Sequence, residues 1–222
     1  MHKLARSLRH ILILASSLLT VVPGLAADTA QEFQIATEGY HYAFPRDHGS
    51  HEEFRTEWWY YTGQVATKDG RPFGYELTFF RRGMPREQTK TLPSKWAVSH
   101  LYLAHFAISD LSKGRFHYTD RMSRAALGKA GAAQDRLHAW IDRWRAESPS
   151  AAPDTQILEA AEGDLAIRLT VSSKKHPVVH GTNGISRKGP LIGQASHYYS
   201  FTRLATTGTL TVGGESFDVT GT

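Results

Sequence analysis

The chain contains no cysteine in its 222 residues. Disulfides, thiolate metal sites and a cysteine nucleophile are therefore excluded. The sequence also lacks common enzyme motifs: no G-x-S-x-G nucleophile elbow, no P-loop and no H-E-x-x-H zinc motif occurs. A hydrophobic fraction of 41% nevertheless predicts one or two globular domains rather than a disordered chain.

Little net charge remains once the N-terminus is set aside. The formal net charge is +5, but Lys3, Arg6 and Arg9 lie in residues 1–27, which contain no acid. The rest of the chain carries 23 basic and 21 acidic residues, a net charge of +2. This near-neutral balance argues against nucleic acid as a partner.

Residues 1–27 have the organisation of a secretory signal peptide. The three basic residues precede an apolar run from Ile11 to Leu25, and small residues follow at Ala26 and Ala27. The run is shorter than the roughly 20 residues that a transmembrane helix needs, so an uncleaved anchor is the weaker alternative. We predict cleavage after Ala26 or Ala27 and export to the periplasm or the exterior of a bacterium.

Residues 28–53 predict an extended leader, and residues 54–222 predict a β-domain with no strong helix. From Phe54 the apolar residues recur with period two, the pattern of strands. About ten short strands separated by turns favour an antiparallel barrel or sandwich. A helix over residues 135–147 is an alternative to the predicted strand 137–145. A loop or a short helical turn is predicted for residues 121–136. The predicted strands are 57–63, 73–81, 96–109, 116–118, 137–145, 156–160, 165–172, 196–203, 209–212 and 216–219.

Two aromatic clusters predict a ligand pocket. In the strand EWWYYTG (57–63), alternation places Glu57, Trp59 and Tyr61 on one face and Trp58 and Tyr60 on the other. Aromatic walls with a few polar tips suit a long apolar ligand, although both faces could equally be core. The candidate ligand-binding residues are Arg55, Trp58, Trp59, Tyr60, Tyr61, His105, His197, Tyr198 and Tyr199.

Glu57 and His105 are the candidate catalytic residues. Arg55 and Glu57 project from the same strand face, where a buried ion pair would position a reacting group or would only stabilise the fold. His105 lies on an otherwise apolar strand face, where it acts as a catalyst or as a hydrogen-bonded core residue. His100 and His105 face opposite sides of their strand, and nothing supports the His48–His51 pair as ligands, so no metal site is predicted.

Several motifs carry a resemblance to a known family. They are FPRDHGSH (44–51), FRTEWWYYTG (54–63), FFR (79–81), HFA (105–107), GISRKG (184–189) and QASHYYSF (194–201). Together they span most of residues 44–222. The chain resembles the first half of the carotenoid 1,2-hydratase (hydroxyneurosporene synthase) and AttH-like family, whose members include predicted secreted hydrolases.

The resemblance implies two lipocalin-like β-domains in tandem, of which residues 54–222 look like the first. The family's hydratases add water to an isolated isoprenoid double bond without a cofactor, using a carboxylic acid and aromatic faces that shelter the cation. Most catalytic groups are expected from a second half that opens with W-x-D-H-E-W, and this motif does not occur here. We therefore expect a fragment, a truncated product, or a second half supplied from elsewhere.

Three functions remain open on the sequence alone. The first is an exported lipocalin-like protein that binds an isoprenoid or lipid at the cell envelope. The second is a cofactor-free hydratase or lyase that needs a second domain, and the third is a non-catalytic structural partner. The resemblance also suggests an envelope transporter, a second β-domain or self-association as partners. A hydrolase is not supported, because no nucleophile–base pair is evident.

Overall fold

The computed structural model describes residues 33–85, 98–152 and 154–222. The predicted signal segment lies outside the described residues, and so does Trp96 at the start of the predicted strand 96–109. Residues 31–222 form a single compact unit. No helix in the described part of the chain is long and apolar enough to cross a membrane.

The regular structure of the described residues consists of strands, apart from one 3-10 turn at Arg46–His48 in the leader. The alternating apolar pattern accounts for this, because it gives each strand one face to bury. The strands are β1 (Thr56–Ala66), β2 (Pro72–Gly83), β3 (His100–Asp110), β4 (Arg115–Arg124), β5 (Ala130–Ala132), β6 (His138–Ile141), β7 (Trp144–Glu147), β8 (Thr155–Glu162), β9 (Leu165–Ser173), β10 (Val178–Val179), β11 (Ile185–Arg187), β12 (Ala195–His197), β13 (Tyr199–Ser200), β14 (Leu204–Val212) and β15 (Glu215–Gly221).

Eleven strands form one antiparallel sheet in the order β4-β3-β2-β1-β15-β14-β9-β8-β7-β6-β5. The sheet curls until its two ends meet through side chains. The rings of Phe106 on β3 and Trp144 on β7 contact edge to face at 5.6 Å. The Arg121 guanidinium of β4 lies 4.6 Å from the Trp144 ring. The result is a nearly closed, lipocalin-like barrel, which confirms the predicted fold class.

The barrel interior is filled by its own side chains. Alternation along β9 shows the principle: Leu165, Ile167, Leu169 and Val171 are buried, whereas Arg168 is exposed. Interiors packed in this way leave no room for a ligand in the middle of the barrel. Completely buried side chains include Phe73, Leu77, Phe79, Phe106, Ile108, Leu137, Ile141, Trp144, Leu158, Leu169 and Leu210.

Two predicted hairpins are confirmed. β1 and β2 pair along their whole length, with Trp59 opposite Phe79. The turn between β14 and β15 has Gly213 at φ 63° and Gly214 at φ 76°. Because a primed two-residue turn needs positive φ at both positions, two successive glycines are the residues that suit it.

Two predicted strands are wrong in their extent. The predicted strand 137–145 is two strands, β6 and β7, because Asp142 turns the chain at φ 52°. Trp140 and Trp144 therefore do not share a face, since Trp144 is buried in the barrel and Trp140 is half-buried outside it. The competing helix is absent there. The predicted strand 196–203 is also interrupted, and only β12 and β13 form.

Two further boundaries differ from the prediction. The described part of the predicted strand 96–109 becomes a strand only at His100. β4 extends to Arg124 and is followed by the short strand β5, so residues 121–136 contain strand rather than a helical turn.

The sheet has a gap beside β1. β15 pairs with β1 only at Val65 and Ala66, although β2 pairs with β1 along its whole length. Among the described residues, no strand pairs with residues 56–63 on the β15 side. The leader and the segment 193–204 border this opening.

Candidate functional site

A cavity of about 650 Å³ lies at the gap beside β1. Its walls come from β1, from the leader and from residues 193–204. Trp59 and Tyr61 reach it from the inner side of the sheet, and Trp58 and Tyr60 from the outer side. Further lining residues are Tyr40, Tyr42, Asp47, His48, His51, Phe54, Arg55, Glu57, Leu137, Gln156, His197, Tyr198, Tyr199, Phe201 and Leu204.

The free edge of β1 contributes backbone groups to the cavity. Gln64 exchanges both backbone hydrogen bonds with Thr222, at 2.7 and 3.0 Å. Because alternate residues of a strand direct their N–H and C=O groups to the same edge, those of Trp58, Tyr60 and Thr62 face the gap. Among the described residues these groups have no backbone partner on that side. The cavity therefore offers donors and acceptors as well as aromatic surface.

Aromatic rings from distant parts of the sequence pack against one another at the cavity and, with the exception of Phe44, they line it. Tyr40 stacks on His197 with ring centroids 4.5 Å apart, and Phe44 stacks on His48 at the same distance. Tyr199 contacts Phe44 edge to face at 4.9 Å. Rings held against one another lose little conformational freedom when a ligand binds, so this wall is largely preformed.

A chain of hydrogen bonds fixes the leader to β1 and to residue 199. Nε1 of Trp59 donates to the His48 carbonyl at 3.0 Å. Nδ1 of His48 lies 2.7 Å from the Tyr199 hydroxyl, which donates to the Asp47 carbonyl at 3.2 Å. Burial lowers the pKa of His48 and raises the pKa of Tyr199, so both side chains are neutral near pH 7.

A buried charge cluster lies beside this chain. Nδ1 of His51 donates to Oε1 of Glu57 at 2.7 Å, and Nε2 donates to Oδ1 of Asp47 at 3.2 Å. The Tyr40 hydroxyl also lies 3.2 Å from Nε2. Oε2 of Glu57 accepts from the His51 backbone N–H at 3.0 Å and from the Ser50 hydroxyl at 3.2 Å. The imidazole is therefore held between two carboxylates.

The pKa values of this cluster move in opposite directions. Burial acts to raise the pKa of Glu57, but hydrogen bonds from the side chain and backbone of His51 outweigh it, and the pKa is lowered. Burial likewise acts to lower the pKa of His51, but the bonds to Glu57 and Asp47 outweigh it, and the pKa is raised. At neutral pH the cluster therefore favours an imidazolium between two carboxylates.

Arg81, not Arg55, is the arginine paired with Glu57, which corrects the sequence-based pairing. Nε of Arg81 lies 3.3 Å from Oε2 of Glu57, and Nη2 donates to the carbonyls of His51 and Phe54 at 2.7 Å. Arg55 is exposed at the cavity rim. A signal existed in the sequence: register counted outward from the β1–β2 turn places Glu57 directly opposite Arg81.

His105 lies away from the cavity, unlike the other predicted site residues. Its ring sits on the outer face of the sheet, edge to face with Phe80 at 5.3 Å and with Tyr118 at 5.7 Å. The remaining candidates all line the cavity: Arg55, Glu57, Trp58, Trp59, Tyr60, Tyr61, His197, Tyr198 and Tyr199. Within residues 33–85, 98–152 and 154–222, no three His, Asp or Glu side chains form a metal-binding group.

Sequence reasoning missed two polar groups in the cavity wall. The Tyr42 hydroxyl and Oε1 of Gln156 are buried without a hydrogen-bond partner among the described residues. Both side chains line the cavity, which they reach from the leader and from β8. Burial raises the pKa of Tyr42 to about 12, so its hydroxyl stays protonated and can donate. Unpaired buried groups of this kind suit the polar end of a ligand.

Residues 35–222 match the model of the AttH-like family. This match covers most of the sequence. The chain belongs to the AttH-like family. Among curated protein sequences, none matches the chain.

Two solved structures share the fold of this AttH-like chain. A crystal structure of an AttH homologue from Nitrosomonas europaea is 31% identical, with a TM-score of 0.74, over 86% of this chain. Kievitone hydratase from Nectria haematococca is 13% identical, with a TM-score of 0.54, over 85% of this chain. The matched parts are 56% and 52% of those two chains, so this chain spans about half their length.

Proposed function

We propose that this AttH-like chain is an exported protein that binds an elongated apolar molecule, an isoprenoid or a lipid, at the cell envelope. The observation that carries the proposal is the aromatic cavity of about 650 Å³ beside β1. Pockets for small organic ligands generally measure about 300–1,000 Å³ and combine apolar walls with a few polar groups. Tyr42 and Gln156 would meet the polar end of such a ligand.

The packing of the barrel supports the cavity rather than the lumen as the binding place. Phe106, Trp144 and Leu158 are completely buried in the lumen, whereas Tyr60 is 53% exposed at the cavity. An exposed aromatic ring beside a concave surface can gain buried area when a ligand arrives, and a packed core ring cannot.

Probe displacement tests this binding function. N-phenyl-1-naphthylamine is bound to the protein and displaced with the isoprenoid alcohol geranylgeraniol. We expect Tyr60→Ala to weaken the binding of both compounds about tenfold, because about 1.4 kcal/mol of aromatic contact is lost. Tyr118→Ala is the matched control, since Tyr118 is 51% exposed on the same sheet but outside the cavity. Equal affinities of the two variants would contradict the proposal.

A cofactor-free hydratase is the second candidate, and the charge cluster favours it. His51 lines the cavity, and its raised pKa keeps a proton on the imidazole near neutral pH. Hydration of an alkene needs a proton on one carbon and the hydroxyl of water on the other, so a protonated group and a base must both be present. In this reaction Nε2 of His51 releases its hydrogen bond to Asp47 and gives that proton to the alkene, while Glu57 receives the proton that the attacking water loses. The hydrogen bond between Glu57 and Nδ1 of His51 then returns the proton to the imidazole and restores the starting state.

Isotope labelling tests the hydratase function. The chain is incubated with an isoprenoid alkene in ¹⁸O-water, and the product is analysed for a labelled tertiary alcohol. We expect His51→Gln and Glu57→Gln to abolish labelling, whereas His105→Gln leaves it unchanged, because His105 does not reach the cavity. Labelling that persists in the Glu57 variant rules out its role as base. If no ¹⁸O label is incorporated but the fluorescent probe still binds, only the binding function is supported.

A further inference from the structure

One continuous segment of the sequence carries no acid. Between Leu165 and Gly214 there is no Asp or Glu, although the chain as a whole has 21 acidic residues. The same segment contains six Lys or Arg side chains and three histidines: Arg168, Lys174, Lys175, His176, His180, Arg187, Lys188, His197 and Arg203. Residues 28–222 outside this segment have more acids than bases. The charge of the folded domain is therefore strongly asymmetric.

Most of these basic side chains lack an acidic partner. Arg168 pairs with Glu159 on the neighbouring strand at 3.1 Å. The other five are exposed, and none forms an ion pair with a described residue. A second acid, Glu38 of the leader, accepts a hydrogen bond from the uncharged Asn183 at 3.3 Å. These five exposed positive charges are therefore available to an external anionic partner.

The segment also exposes two adjacent large apolar residues. Ile192 is 93% exposed and Leu191 is 65% exposed, and together they form an apolar tip next to Arg187 and Lys188. Single exposed apolar residues are common on proteins. Two adjacent apolar residues at a loop tip, next to basic residues, have the composition of a segment that contacts a membrane interface.

The apolar tip is held in place rather than loosely attached. The backbone N–H groups of Lys188 and Gly189 both donate to the Gln194 carbonyl, at 2.8 and 3.2 Å. The Gln194 backbone N–H donates to the Leu191 carbonyl at 3.1 Å, and its side chain accepts from the Leu191 N–H at 3.2 Å. This tight turn keeps both apolar side chains exposed.

The tip adjoins the wall of the cavity. Gly193, the next residue, lines the cavity and approaches Ile35 of the leader so closely that a Cβ would lie 2.9 Å from Cγ2. Residues 195–201 continue along the cavity wall. The segment that exposes the tip is therefore the segment that bounds the binding site.

We propose that the acid-free segment is a docking surface for an anionic lipid bilayer, with Leu191 and Ile192 inserted among the headgroups and Arg187 and Lys188 in contact with the lipid phosphates. Exposed apolar side chains supply the insertion energy, and the unpaired bases supply attraction to the negative surface. This docking does not depend on the ligand-binding function. It would place the wall of the cavity next to a membrane.

The absence of cysteine makes a site-specific test straightforward. The Ile192→Cys variant of the full chain is labelled with the environment-sensitive fluorophore NBD. Met122→Cys is the matched control, because Met122 is 70% exposed on β4, outside the segment. Vesicles of phosphatidylcholine with or without an equal amount of phosphatidylglycerol are added. We expect a blue shift and a rise in NBD emission only at position 192 and only with phosphatidylglycerol.

A second variant tests the role of the bases. Arg187→Gln with Lys188→Gln, in the Ile192→Cys background, should lower the vesicle partition coefficient roughly thirtyfold. Arg143→Gln, at an exposed site between β6 and β7, should leave it unchanged. The proposal would be overturned if the NBD emission at position 192 did not change on addition of vesicles, or if position 122 responded equally. Equal binding to neutral and anionic vesicles would overturn it too. A response to duplex DNA but not to vesicles would overturn it as well.

Discussion

The barrel interior and the cavity beside β1 contain similar aromatic residues, but these residues differ in how far they are buried. In the interior, rings such as Phe106 and Trp144 are completely buried and contact one another. At the cavity, Trp58 and Tyr60 remain partly exposed on β1. Among the described residues, no strand pairs with residues 56–63 of β1 on the β15 side. The difference lies in strand pairing rather than in composition. Aromatic residues form a core where the sheet continues and line a cavity where β1 has no paired strand among the described residues.

The charge cluster lies at the boundary between the two regions. Arg81 is completely buried under the barrel wall, whereas Glu57 and His51 reach the cavity. The cluster thus connects the rigid barrel to the leader that covers the gap. Substitutions in the interior should change stability, substitutions of exposed cavity rings such as Tyr60 should change binding, and substitutions in the hydrogen-bonded groups at the boundary should affect stability as well as the cavity.

Truncation in the interior should have the largest effect. Trp144→Ala removes a completely buried indole that packs on Phe106 and lies under Arg121. We expect the free energy of unfolding to fall by about 4 kcal/mol, because the transfer energy is lost and a cavity is left. Urea denaturation measures this change. A loss below about 1 kcal/mol would mean that the interior is not packed as described.

Breaking the charge cluster should have the next largest effect. Glu57→Gln leaves Arg81 buried beside a neutral amide, and we expect a loss of about 3 kcal/mol of stability. Asp69→Asn, at the exposed turn between β1 and β2, is a control that should change little. If Glu57→Gln were as stable as the unaltered chain, the cluster would not connect the leader to the barrel.

Removing one hydroxyl from the cavity wall should cost less. Tyr199→Phe deletes the group that contacts Nδ1 of His48 and donates to the Asp47 carbonyl. We expect a loss of about 1 kcal/mol in the free energy of unfolding. Tyr198→Phe is the neighbouring control, since its hydroxyl has no hydrogen-bond partner among the described residues and its removal should be neutral. Equal effects of the two substitutions would contradict the assigned hydrogen-bond chain.

The smallest effect should appear as a pH dependence of stability. His51 has a raised pKa in the folded chain, so its contribution is complete below its unfolded pKa of about 6.5 and is lost as pH rises through the folded value. Glu57, with a lowered pKa, contributes above its unfolded value and loses its contribution on acidification. In His51→Gln the loss on the alkaline side should disappear. Parallel stability profiles of the two proteins would contradict the imidazolium assignment.

The sequence predicts the strands well because period-two alternation depends only on neighbouring residues. β9 and the β14–β15 hairpin follow directly from it. The alternation does not reveal where a strand turns back, and so Trp140 and Trp144 were assigned to one face although Asp142 reverses the chain between them. His105 illustrates the same limit, since alternation predicts its strand but does not show that its side chain lies outside the cavity.

The site is harder to predict, because its residues are joined by tertiary contacts. His48 and Tyr199 are 151 residues apart in the chain, and no local pattern links them. Gln156 looks like an ordinary strand residue until the gap beside β1 brings it to the cavity. The Glu57–Arg81 pair is the exception, since hairpin register alone could have identified it. The aromatic string in β1 indicated where the cavity lies, because residues from both faces of β1 line it.

The most direct test is a crystal structure of the chain with a bromine-labelled fatty acid. The anomalous signal of bromine locates the ligand without any assumption about its pose. We predict one strong peak in the cavity, between Tyr60 of β1 and the Tyr199 ring. A peak on the outer face of β3 and β4 near Tyr118, or no ordered peak at saturating ligand, would contradict the claim that the interrupted edge of β1 is a binding site.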